Sequence, residues 1–495
     1  MELTREQSVP PSGKAPRAAY EAVIGLEVHV QLKTASKIFC ACSTRFGDPP
    51  NSNVCPVCLG LPGALPVLNR QALELAVRAA LALNCHVNPR SRFARKNYFY
   101  PDLPKGYQIS QYEEPLSEHG WLEIEVNGQQ KRIGITRVHL EEDAGKSLHE
   151  GFPDSDAKTY LDFNRCGVPL IEIVSEPDLH APAEAYDYLT RLKQILQYVE
   201  VSDCDMENGS LRCDANVSVR RRGAEKFGVK TEVKNLNSFR YLARALEYEI
   251  ERQVAVLEEG GSIEQETRLW NVGAGRTEPM RSKEFAHDYR YFPEPDLLPI
   301  MVEEAWKQKI LAEMPELPDA KRARFLRDFG ITDYDAGVLT ATRALADYFE
   351  EVARDSPDAK AAANWIQTEL LGRLNESGKD IAESPIQPAA LAELLKLIAD
   401  GTLSGKMAKS AFAKMFESGK SAREVIAAEK MEQVTDAAAI ETMCRVVLEK
   451  HAAEVEQYKK GKEALFGFFV GQVMKASRGQ ANPQVVNETL KRLLA

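Results

Sequence analysis

The sequence predicts an α+β domain built on a largely antiparallel sheet, followed by an all-α half. Three observations carry this. A chain of 495 residues, at roughly 150 per domain, is enough for about three domains. From about Tyr20 to Asp296 short alternating runs, turn residues and isolated polar clusters follow one another, as strands joined by turns do. Beyond Pro299 the pattern changes. There Leu391, Leu394, Leu395 and Ile398 show the i, i+3, i+4, i+7 spacing of an amphipathic helix, and Pro315, Pro318, Pro357 and Pro385 punctuate the segments.

The first strand reads Ala22-Val-Ile-Gly-Leu-Glu-Val-His-Val-Gln-Leu32. With period two, Ala22, Ile24, Leu26, Val28, Val30 and Leu32 point one way, and Glu27, His29 and Gln31 the other. A carboxylate and an imidazole two residues apart can ligate one ion; a solvated sheet face would show the same pattern.

Cys40-Ala-Cys42, twelve further residues and Cys55-Pro-Val-Cys58 follow, on sequence shaped by Gly47, Pro49, Pro50 and Pro56. Two close thiolate pairs on turns can reach the corners of a tetrahedron, so a zinc-binding loop holding structural Zn²⁺ is expected. The other five cysteines, Cys85, Cys166, Cys204, Cys213 and Cys444, show no metal spacing and are read as core or loop residues. An odd number of scattered cysteines argues against a disulfide framework.

Arg95 to Gln108 is aromatic, proline-pinned and basic, the make-up of a rigid loop at a cleft or of a well-packed loop. The run Ile133 to Leu140 ends in Glu141-Glu142-Asp143, with Gly145 and Lys146 next. Carboxylates from two strands beside a lysine suit Mg²⁺ and phosphate chemistry; the alternative is an acidic turn without a ligand. Ser210 to Arg220 alternates, placing Arg212, Asp214, Asn216, Ser218 and Arg220 on one face, more hydrogen-bonding capacity than a solvent face needs. Thr231 to Asn237 and His287 to Asp296 mix cations, carboxylates and aromatics, as sites that grip phosphate and sugar do. Arg212, Asp214 and Lys234 are therefore the candidates for holding a nucleotide. After Asn237 a helix is expected over Ser238 to Leu257, from Leu242, Leu246, Ile250 and Val254, with Asn237 as its cap.

Composition narrows the class. At 44% hydrophobic and 27% charged residues the chain is neither disordered nor fibrous. It holds no uninterrupted apolar run of about 18 residues, and Met1 to Arg17 is polar, so secretion and membrane spanning are not expected and the cytoplasm is. A net charge of -10 argues against nucleic-acid binding by the whole surface. Lys406 to Ala495, however, carries 15 basic and 11 acidic residues, a balance of +4 that leaves -14 on the remainder. An anionic partner could meet this tail, or it could be a solvated helical face. There is no G-x-x-x-x-G-K-[ST], no G-x-G-x-x-G after a strand and no H-E-x-x-H, so an ATP site here would be of an uncommon type. A glycine-serine-rich amidase core is absent too.

Taken together, these stretches resemble the B subunit of the tRNA-dependent amidotransferase family. The resemblance covers nearly the whole chain. It rests on Gly25-Leu-Glu-Val-His-Val-Gln-Leu32, the four cysteines, Lys96 to Gln111, His139-Leu-Glu-Glu-Asp-Ala-Gly-Lys146, Asn164 to Glu172, Lys234-Asn-Leu-Asn237, Asp288-Tyr-Arg-Tyr-Phe-Pro293, Gly471 to Lys475 and Gly479 to Pro483. The N-terminal extension before Tyr20 has no counterpart in that pattern.

The resemblance implies an N-terminal cradle domain over 20–298, a helical domain over 299–405 and a small tRNA-binding tail domain over 406–495, after an extension over 1–19. It implies a ligase that uses ATP and Mg²⁺ to phosphorylate the side-chain carboxylate of Glu-tRNA(Gln) or Asp-tRNA(Asn). Ammonia then displaces phosphate. That ammonia arrives by a polar tunnel from the glutaminase, or A, subunit of a heterotrimer whose third member is a small C subunit; the cognate synthetase is a further partner. A missing nucleophile for glutamine hydrolysis agrees with this division of labour. By the family pattern Glu27, His29 and Glu142 are the Mg²⁺ ligands, with Glu141, Asp205, Glu207 and Asp214 as neighbours, and Lys96 and Lys105 match tunnel and gate positions. Two other readings stand beside it: a zinc-stabilised tRNA scaffold whose partner does the chemistry, and a stand-alone metallohydrolase.

Overall fold

The computed structural model describes residues 19–149, 151, 154–155, 157–280, 289–429, 436–477 and 480–494. The chain divides into two compact units between Leu317 and Pro318. Met1 to Arg17, His287, Asp288 and Gly479 lie outside the described residues.

In chain order the first unit contains β1 (Tyr20–Gln31), α1 (Arg70–Ala82), β2 (His86–Val87), β3 (Arg90–Ser91), β4 (Ala94–Asn97), β5 (Tyr107–Ser110), β6 (Ser117–Val126), β7 (Gln129–Glu142), β8 (Lys146–Leu148), β9 (Tyr160–Asp162) and β10 (Pro169–Ser175). It continues with α2 (Pro182–Tyr198), β11 (Leu211–Arg221), β12 (Thr231–Lys234), α3 (Phe239–Glu258), β13 (Thr267–Asn271), β14 (Arg276–Pro279), β15 (Phe292–Pro293), β16 (Ile300–Met301) and α4 (Glu304–Glu313). Nine strands form one sheet in the order β14-β13-β12-β11-β1-β10-β7-β6-β2. Every neighbouring pair is antiparallel except β12 with β13. The largely antiparallel sheet is therefore as the sequence predicts.

The alternation of β1 explains its place at the centre. Ala22, Ile24, Leu26, Val28 and Val30 are all buried, in one core with Ala76 of α1, Leu189 and Leu192 of α2, and Leu242 and Leu246 of α3. Burying each Val, Leu or Ile stabilises by about 1.5–3 kcal/mol. A one-residue slip would turn all five out and drive Glu27 and His29 into the core, so the register is strongly fixed. The apolar face being covered by helices, the polar residues are left together on the other face.

Helix α3 falls where the sequence places it, with a different cap. Ser238, not Asn237, is the N-cap, its side chain accepting from the backbone N–H of Tyr241 at 3.1 Å. The five cysteines read as core residues are all buried.

The change expected at Pro299 comes later. β16 pairs with β3, and Ile310 of α4 belongs to the core of the first unit, so that unit runs on to Leu317. Among the described residues the second unit is all-α with two cores. One runs from Phe325 to Ile426 and includes helix Pro388–Ala399, where Leu391, Leu394 and Leu395 are buried as their spacing requires. The chain breaks between Ala399 and Gly405, as expected, and helix Gly405–Ser418 then contributes Ala408, Ala411, Phe412 and Met415 to that core. It ends at Gly419, which takes a left-handed φ of 68°. The second core, Ile440 to Leu494, is separate. Among the described residues no helix is long and apolar enough to cross a membrane.

Candidate active site

Three adjacent strands bring the polar groups together. The ladder pairs His29 of β1 with Glu172 of β10, and Glu172 with His139 of β7. Glu141, two residues along β7, shares the face of His139. His29 Nε2 lies 3.3 Å from Glu141 Oε1 and 3.6 Å from Glu172 Oε2. His139 Nε2 lies 3.3 Å from Glu172 Oε2 and 3.8 Å from Glu141 Oε2. His29, Glu141 and Glu172 can offer ligand atoms all within 4.8 Å of one another. Two carboxylates and an imidazole form a donor set that fits a divalent cation.

Burial alone would neutralise these groups. It raises the pKa of Glu141, but the hydrogen bond to His139 and the charge of His29 outweigh it and hold the carboxyl low. Glu172 is likewise held well below its ordinary value against burial, by the charge of His139 and its hydrogen bond. Burial opposes the charged form of His139, yet Glu172 and Glu141 push its pKa up. The cluster thus keeps its carboxylates ionised while largely removed from water.

The two remaining ligands expected from the family pattern do not join this group. Glu142 follows Glu141 on one strand, so its side chain takes the opposite face. There it is ion-paired with Lys105 and accepts from the backbone N–H of Ile109 at 2.8 Å. Glu27 shares the face of His29, but its Oε1 accepts from Asn216 at 2.9 Å. Its pKa is raised, first by burial and then by the charges of Glu172 and Glu232. Asp205 closes a local turn, accepting from the N–H groups of Glu207 and Asn208 at 2.8 and 3.1 Å. Neither Asp205 nor Glu207 belongs to the cation cluster.

Lys96 and Lys105 flank the site differently. Lys96 Nζ sits 4.8 Å from the ring centre of Tyr289 and 5.9 Å from that of Tyr98. Burial would discharge it, but Glu141 is the strongest of the opposing groups and the pKa is raised. Lys105 is tied to Glu142 and packs against Gly60.

On the β11 side Arg212 donates to Asp143 Oδ1 at 2.9 Å. Gln31 donates to Asp143 Oδ2, also at 2.9 Å. Lys234 Nζ lies 2.9 Å from both Asp214 and Glu232. The expected nucleotide residues therefore line the sheet face beside the cluster, engaged with carboxylates of their own.

The cysteine loop closes as expected from spacing. Cys40, Cys42, Cys55 and Cys58 offer sulfur atoms within 4.8 Å of one another, and the Cys55–Cys58 separation is 3.9 Å. A tetrahedral Zn–S distance of about 2.3 Å calls for sulfurs about 3.8 Å apart, so the four fit zinc. The Cys58 thiol is held low, at about 4, first by the hydrogen bond from Cys40 and also by the Cys55 N–H and the Lys37 charge. Cys42 is pushed up to about 11, mainly by burial.

Sequence reasoning missed Glu172 and His139. Their signal was present: Glu172 is the lone charge in Pro169-Leu-Ile-Glu-Ile-Val-Ser175, and His139 lies between Val138 and Leu140. An isolated polar residue in an apolar strand must meet polar partners on its face.

The chain matches the family described as "GatB/GatE catalytic domain" over residues 22–308 and the "GatB domain" over 347–494. It is 57% identical over 476 residues to the aspartyl/glutamyl-tRNA(Asn/Gln) amidotransferase B subunit of Carboxydothermus hydrogenoformans, covering 96% of this chain and 99% of that protein. The protein of the same name from Geobacter sulfurreducens is 56% identical over 475 residues, with 96% and 99% covered. With the mainly antiparallel sheet and its polar face in place, this chain belongs to the family of aspartyl/glutamyl-tRNA(Asn/Gln) amidotransferase B subunits.

Proposed function

We propose that this chain activates the side-chain carboxylate of Glu-tRNA(Gln) or Asp-tRNA(Asn) with ATP and Mg²⁺, after which ammonia displaces phosphate. One observation carries the reading: His29, Glu141 and Glu172 converge from three strands with donor atoms within 4.8 Å of one another, and Lys96 is close by. These three residues would hold the Mg²⁺, which supplies charge neutralisation for phosphate oxygens. A carboxylate attacking ATP brings two anions together, so cations must be fixed in advance. Lys96 stays charged despite burial because Glu141 and Glu172 offset the desolvation. Its ammonium is therefore available to the transferring phosphoryl group.

Arg212 and Lys234 would exchange their carboxylate partners for nucleotide phosphates, with Asp214 holding Lys234 meanwhile. Lys105 and Glu142, mutually neutralised, provide a polar lining through which ammonia reaches the activated carboxyl. Water would hydrolyse an acyl phosphate, so enclosed delivery protects it. The ammonia comes from the partner glutaminase, the A subunit of a cytoplasmic heterotrimer. A small C subunit completes that assembly, which also meets the synthetase. The four cysteines hold Zn²⁺ as a structural centre.

Glu172→Gln in the assembled complex removes one carboxylate with little change of shape. ATP-dependent amidation is expected to fall roughly 100-fold or more, the scale of losing one preorganised electrostatic group, while glutamine hydrolysis and tRNA binding remain. Amidation at the unsubstituted rate would refute the assignment.

A further inference from the structure

Lys37 lies beside the cysteine loop and is fully buried. Its ammonium has three donors, and three acceptors receive them: the backbone oxygens of Asn53 at 2.7 Å and Phe163 at 3.2 Å, and Cys58 Sγ at 3.6 Å. Two of these are neutral carbonyls. Among the described residues Lys37 forms no ion pair with a carboxylate, and of its three hydrogen-bond partners only Cys58 can carry a negative charge. A buried charge without a counter-charge is costly. Four thiolates around one divalent cation carry a net charge of −2, and a buried ammonium is the group that centre lacks.

We infer that Lys37 is the fixed counter-ion of the four-cysteine metal centre, stabilising the bound metal through a charged hydrogen bond to Cys58. The inference rests on reading the four cysteines as the metal ligands. It gives that centre a fifth residue, which precedes Cys40 in the chain yet reaches Cys58 of the second pair. The same ammonium links that pair to Phe163, and the lysine stem packs on Gly167, just before the strand that carries Glu172. Partners of this outer kind commonly change metal affinity by about 10–100-fold.

The test uses the full chain reconstituted with Zn²⁺ or Co²⁺. Lys37→Met is expected to lose its metal to a competing chelator at a chelator concentration at least about tenfold lower than the unsubstituted protein, and its thiolate-to-cobalt charge-transfer band is expected to move to lower energy. Lys37→Gln keeps a donor but no charge and is expected to do the same, so it carries the test if the Met variant does not fold. Unchanged metal loss and an unchanged cobalt spectrum in a folded variant would overturn the counter-ion role while leaving the centre in place. Failure of the unsubstituted chain to retain either metal would overturn the metal centre itself, and the inference with it.

Discussion

Gly60 shows how closely single residues set this site. It takes a left-handed φ of 67°, and a Cβ there would fall 3.2 Å from the Cα of Lys105 and closer still to its side chain. The turn that follows Cys58 is thereby pressed against the lysine that holds Glu142. Gly60→Ala is expected to cost about 1–2 kcal/mol from the backbone conformation alone and to displace Lys105. Amidation should fall while glutamine hydrolysis by the partner persists; paired assays and a denaturant titration would check both. At this scale the sequence brought forward His29 by its strand alternation and the Glu141-Glu142-Asp143 run by its acidity, with Glu142 expected as the ligand and Glu141 as its neighbour. The structure puts Glu141 beside His29 instead, because neighbours on a strand face opposite ways and only pairing with β10 shows which face β7 shares with His29. Glu172 was hidden for a different reason. Its apolar neighbours mark a buried strand, and nothing local tells which strand lies beside it.

At the scale of elements the sequence patterns were most informative where one face is apolar. β1, β11 and α3 lie close to where their periodicities put them, since burial of a continuous apolar row fixes both type and register. The cap of α3 shifted by one because Ser238 and Asn237 are equally good capping types, and the choice depends on which of them has the extended backbone. The boundaries at Pro299 and Gly405 were less legible. Proline and glycine mark local breaks, whereas a domain ends where packing ends. α4 packs on α1 from a distant part of the sequence, and the 405–418 helix joins the core before it.

For the molecule as a whole, net charge alone misleads. The -10 of the chain divides into a +4 tail and a -14 body, and part of that acidity is committed to the buried cluster around His29. The packing also shows where the tail can be removed. Truncation before residue 436 deletes the Ile440–Leu494 core and leaves the Phe325–Ile426 core whole. The truncated protein is expected to assemble and support glutamine hydrolysis but to bind tRNA more weakly and with a shallower salt dependence. Truncation at Lys406 would instead strip Phe412 and Met415 from the remaining core. Filter binding across a salt series distinguishes these outcomes. Whether His29, Glu141 and Glu172 hold the catalytic cation is decided by the anomalous signal of Mn²⁺ in crystals of the complex with an ATP analogue. A peak within coordinating distance of those three residues is expected; a peak coordinated by Glu27 and Glu142, without Glu172, would show that the cation is held elsewhere.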